Sequence, residues 1–232
     1  MRQEGGAAAT AAAEDGVGSG CSSRDDPVVV FLTARPGFLK GRTLREMEEM
    51  GFGNPTILTG SITQLVGHRS MGEEKARNYQ KYRRLYPECL FVFVGDNGQG
   101  DIDAGKVLLA DETAGVAGVF IHDIYAPASQ GEKPHRLDEC EQAGIVLFQT
   151  YAGAAAAAAK AGLMELQAAM RVVEVTLRDL RKIDFGEDQL GFLEGLVLRD
   201  AAGMAGLFHG TGGGHGQFMA GLANPIGGKR DR

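Results

Sequence analysis

Two short runs, Val28-Val29-Val30-Phe31-Leu32 and Leu90-Phe91-Val92-Phe93-Val94, are apolar at every position and rich in β-branched and aromatic side chains. A strand with one wet face alternates polar and apolar residues. An unbroken apolar run suits a strand buried on both faces, as in a parallel sheet covered by helices. The first run opens into Thr33-Ala34-Arg35-Pro36. The second opens into the glycine-rich turn Gly95-Asp96-Asn97-Gly98-Gln99-Gly100-Asp101.

Helical patterns separate such runs. Residues 43–50 place Leu44, Met47 and Met50 at helical spacing, with Gly51 positioned as a C-terminal cap. Residues 72–86 carry Ala76, Tyr79, Tyr82 and Tyr86 on one face and end at Pro87. Further strands are expected at 56–59, 116–124 and 144–149, and a helix at 101–111. After residue 150 the chain reads as helical. Ala154–Ala159 has high helix propensity, and Leu166, Met170, Val173, Leu177 and Leu180 form a buried stripe. This alternation predicts an α/β domain with a mostly parallel sheet and flanking helices.

Composition sets the limits. Residues 1–26 are Ala- and Gly-rich with almost no large apolar side chains and are expected to be disordered, and 201–232 are Gly-rich and expected to form a flexible tail. The folded domain is therefore expected over 27–200. A net charge of −6 argues against a nucleic-acid partner. Three cysteines at unrelated spacings give neither a disulfide framework nor a zinc cluster. No apolar run reaches the 18 residues of a membrane span, and the N-terminus lacks a secretory pattern. The expected location is cytoplasmic, with peripheral contact to membranes open.

In open parallel sheets, ligands bind beyond the carboxyl ends of the strands. Asp96 and Asp101 flank a turn at such an end. Oxygen donors of this kind suit Mg²⁺, which takes one or two carboxylates and keeps several waters. The plainer alternative is a solvated turn with Asp101 as the cap of the next helix. Arg35 either clamps a phosphate or faces water, and Lys75 lies on a helix with many basic neighbours. His122 and Asp123 read as structural or peripheral, and His209 and His215 as uninvolved.

The segments FLTARPGFLKGRT, GEEKARNYQKYRRLYPE, FVFVGDNGQGD and GIVLFQTYAGAA, in that order, resemble one family. It is the catalytic domain of the lipin-related phosphatidate phosphatases of the yeast actin-patch type, within the haloacid dehalogenase-like superfamily. The resemblance spans roughly residues 27–185 and rests mainly on LTARP and FVGDNGQGD. It implies a Mg²⁺-dependent hydrolase of lipid metabolism that cleaves phosphatidate, or another phosphomonoester, through an aspartyl-phosphate. Thr33 would bond the transferring phosphoryl group, and Lys75 would neutralise its charge. Asp96 and Asp101 would serve the metal, and Arg35 and Asn97 complete the expected set as substrate-binding residues.

One departure outweighs the matches. The family begins with Asp-x-Asp-x-Thr after a first strand, its first Asp being the nucleophile, and this sequence has no such motif. Two expectations follow: a truncated, inactive copy of the domain, and a vacancy in the sheet between the strands ending at Thr33 and Asp96. Those strands would either pair directly or leave open edges. The alternative function is a non-catalytic module binding anionic phospholipid head groups, with the basic helix 75–84 meeting an acidic membrane.

Overall fold

A computed structural model describes residues 7–13, 28–53, 55–60, 68–98, 100–124 and 136–204. Most of the expected disordered N-terminal segment, the tail beyond Met204, and His209 and His215 lie outside the described residues. The stretch from 27 to 200, expected as one domain, divides after Phe148 into two compact units.

The first unit is built on a six-stranded sheet in the order β3-β2-β1-β4-β5-β6. Its strands are β1 (Ala7–Ala13), β2 (Val28–Pro36), β3 (Thr56–Gly60), β4 (Cys89–Asp96), β5 (Val116–His122) and β6 (Val146–Phe148). β2 and β3 are parallel, as are β4, β5 and β6. β1 runs antiparallel to both β2 and β4, so the other five strands point the same way.

The expected vacancy is therefore filled, and neither direct pairing nor open edges occurs. Thr10 registers with Val29 on one side and Val92 on the other. Residues 7–13 are expected to be disordered because their small side chains bury too little surface to offset the entropy of ordering. The backbone ladder does not depend on side-chain type, however. Two buried strand edges with unpaired N–H and C=O groups are costly enough to order a weak strand between them.

Helices α1 (Lys40–Glu49), α2 (His68–Arg83), α3 (Asp101–Ala110) and α4 (Leu137–Gln142) complete this unit. α2 and α3 supply Ala76, Tyr79, Ile102, Ala104 and Leu108 to a core with Leu32, Phe91, Phe93, Val119 and Ile121 of the sheet. Tyr79 packs edge-on against Phe91 with ring centroids 5.3 Å apart, within the range of about 4.5–7 Å that such pairs prefer. Its hydroxyl donates to the Ala114 carbonyl at 2.6 Å, tying α2 to the turn before β5.

α4 lies between the strands expected at 116–124 and 144–149, where no helix is expected. Cys140 is its one buried residue and anchors it to the core. Burial pushes the Cys140 thiol up, and its side chain is fully enclosed. Because the thiolate is the reactive form, Cys140 is expected to resist 5,5′-dithiobis(2-nitrobenzoate) until the protein is unfolded. The half-buried Cys89 should react before it. Equal rates for the two in the native protein would contradict this packing.

The second unit contains α5 (Tyr151–Lys160), α6 (Leu166–Leu180) and α7 (Glu187–Ala202). Their core holds Ala152, Ala155, Ala169, Val173, Leu177, Val197 and Ala201. The expected stripe on α6 is present, with Leu166, Met170 and Leu180 at its margins. Thr150 caps α5: its hydroxyl accepts from the Gly153 N–H at 3.1 Å and donates to Asp200 Oδ2 at 2.7 Å.

Candidate functional site

The common direction of β2 and β4 places Thr33 and Asp96 at the same end of the sheet, with β1 between them. Leu32 registers with Ala7, and Val94 with Ala8, so both polar segments begin just past the same level of β1. Neighbouring strands lie about 4.8 Å apart, which separates the two ends by roughly 10 Å.

The turn after β4 is held by its own polar groups. Asp96 Oδ1 accepts from the Gly98 N–H at 2.7 Å. The Asp96 N–H donates to Asp101 Oδ2 at 3.2 Å, folding the start of α3 back onto the strand. Gly95 makes this possible, since a Cβ there would stand 2.6–2.8 Å from the Asp101 side chain.

Asp101 is completely buried, and so is Lys75, whose ammonium bonds its Oδ1. Burial raises the Asp101 pKa, opposed by Lys75 and by the bond from Asp96. Gly72 lets the two helices approach: a Cβ there would lie 2.6 Å from the Gly100 carbonyl and 2.9 Å from the Asp103 side chain. Asp101 is thus the counter-ion of Lys75, and it lies in the first turn of α3, where the helix dipole also favours a negative charge.

Asn97 ties the turn to β5. Its backbone N–H donates to the His122 carbonyl at 3.1 Å. Its side-chain Nδ2 donates to Asp123 Oδ1 at 2.5 Å, and its Oδ1 accepts from the Ile124 N–H at 3.0 Å. The side chain expected to touch substrate is a strap between two strand ends. Asp123, read as structural or peripheral, is buried and anchors that strap. His122 stacks on Phe148 at 5.1 Å. The only sequence signal for the Asn97–Asp123 pairing was that both follow apolar strands.

The remaining candidates are apart from this cluster or already engaged. Thr33 Oγ1 accepts from the Arg35 N–H at 3.1 Å, stabilising the end of β2. The Arg35 guanidinium bonds Glu46 Oε2 at 2.8 Å and Thr43 Oγ1 at 3.4 Å on α1. The basic face of α2 is also largely committed. Lys75 is buried, Arg77 pairs with Glu74, and Arg83 donates to the Ala114 and Tyr86 carbonyls.

The donor set was compared with the Mg²⁺ that the resemblance implies. Each Asp101 oxygen already accepts one bond, from Lys75 and from the Asp96 N–H, and the side chain is fully buried, whereas Asp96 accepts from Gly98 through Oδ1 alone. Among the described residues no group of three or more His, Cys, Asp or Glu is arranged to hold a metal. No helix among the described residues is long and apolar enough to cross a membrane. Comparison with protein-family models, curated proteins and solved structures finds no match to this chain.

Proposed function

We propose that the first unit is a haloacid dehalogenase-like domain of the phosphatidate phosphatase type that does not hydrolyse phosphate. The ligand class that goes with this reading is phosphatidate or another phosphomonoester. Support for the family comes from five co-directional strands, with the LTARP and GDNGQGD segments at the same end of the sheet.

One observation carries the inactivity. The strand between Thr33 and Asp96, where the family's nucleophile would stand, is Ala7–Ala13, with the sequence AAATAAA and no carboxylate. It also runs in the opposite direction. Removing a hydrolase nucleophile costs on the order of 10⁶ in rate, and phosphomonoesters need acceleration of up to ~10²¹ over the uncatalysed reaction. Lys75, whose charge would be wanted at the phosphoryl group, is neutralised by Asp101.

The test is phosphate release from p-nitrophenyl phosphate by the full chain with Mg²⁺. Release no faster than in buffer is expected. Turnover that disappears in Asp96→Ala would refute the proposal, because it would require an attacking group supplied elsewhere in the chain.

A further inference from the structure

At the far end of α2 from Lys75 lies a groove of about 290 Å³ between this helix and the edge strand β3. Ile57, Leu58, Tyr82 and Leu85 form its apolar walls, and Asn78 and Lys81 its polar end. Leu85 is 71% exposed at the rim of this groove.

The polar end is asymmetric in charge. Asn78 is fixed, donating through Nδ2 to the Thr59 carbonyl at 3.0 Å, so its Oδ1 faces Lys81 at 3.4 Å. Lys81 is exposed. Among the described residues it has no carboxylate partner, unlike Lys75, Lys106 and Lys182. Among the described residues no carboxylate lines the groove. An apolar trough closed at one end by an uncompensated ammonium complements a molecule with an apolar body and one negative charge.

We propose that this groove binds a small organic carboxylate with an apolar ring or short chain, its charge on Lys81 and its body against Ile57, Leu58, Tyr82 and Leu85. The volume is at the small end of the roughly 300–1,000 Å³ typical of ligand sites, which sets the size of that body. Lys81 lies six residues beyond Lys75, about 9 Å along the helix. The site is therefore separate from the acidic turn and does not depend on the phosphatase reading.

The probe is 4-phenylbutyrate, titrated into ¹⁵N-labelled full-length protein. Its shift changes are expected to centre on residues 57–59 and 78–85, with a Kd near 1 mM, as befits a ligand of this size. Lys81→Gln, an exposed and conservative change, should weaken binding about three- to fivefold, the range of an exposed ion pair. Leu85→Ala should also weaken it. 4-Phenylbutan-1-ol should bind the native protein no better than the acid binds Lys81→Gln, and 4-phenylbutylamine should bind least. Shifts centred elsewhere, no shifts at 10 mM, an amine as tight as the acid, or unchanged affinity in Lys81→Gln would each overturn the assignment.

Discussion

Asp101→Ala is expected to lower the stability of the first unit by about 3–5 kcal/mol, the cost of leaving one member of a buried ion pair without its partner. Lys75 and Asp101 are 2% and 0% exposed at their side chains, so water cannot replace the lost contact. The Asp96 N–H loses its acceptor in the same substitution. With a urea dependence of about 1–3 kcal/mol per molar, the midpoint should fall by about 2 M. Asp101→Asn should cost less, because the amide oxygen can still accept from Asp96. The double substitution Lys75→Met/Asp101→Ala should recover much of the loss, since it removes the stranded ammonium and leaves apolar volume between α2 and α3. Amide exchange in α3 and β4 reports on this unit separately from the helices after Phe148. A loss below about 1 kcal/mol, the range of exposed pairs, would show that the pair is solvated and that the acidic turn is not anchored through it.

The prominence of that pair explains what the sequence could and could not convey. Strands β2 and β4 were legible because five consecutive apolar residues have few other places to go. The stripe on α6 was legible because its period is local. The acidic turn was legible as a position, a polar segment at the carboxyl end of a buried strand. Its wiring was not. Lys75 and Asp101 lie 26 residues apart, as do Asn97 and Asp123, and each pairing is created by the approach of two elements. Nothing in the local pattern distinguishes a lysine that faces solvent from one drawn under a neighbouring helix by a missing Cβ at Gly72. Arg35 shows the converse. A guanidinium beside a strand end looks like a phosphate clamp until Glu46 of α1 is seen to hold it. α4 was missed because one buried cysteine in a charged segment carries almost no periodic signal. β1 was missed for a different reason. Its small side chains argue against an ordered strand, and only the two edges it satisfies, both distant in sequence, argue for one.

Thr10→Pro tests that explanation of β1 directly, and its effect should rival that of Asp101→Ala. Thr10 sits mid-strand with ladders on both sides, opposite Val29 and Val92. Proline has no N–H to donate, and it is tolerated in sheets only at edges, ends or bulges. A central strand offers none of these, so a loss of about 3 kcal/mol is expected, the upper end of the cost of leaving a buried backbone acceptor without its donor. For a unit of this size that corresponds to a fall in Tm of about 6–12 °C. The damage should not stay local. Among the described residues β1 is the one strand hydrogen-bonded to both the β3-β2 pair and β4-β5-β6. Amides of β2 and β4 should therefore lose exchange protection together, and Thr33 and Asp96 should lose their fixed separation. Thr10→Val removes no backbone donor and keeps a β-branched residue, so it should change stability by less than about 1 kcal/mol. If Thr10→Pro melts like the native chain with β2 and β4 still protected, the two sets of parallel strands hold without residues 7–13. The position beside Asp96 would then be open to another strand, and the argument for inactivity would lose its basis.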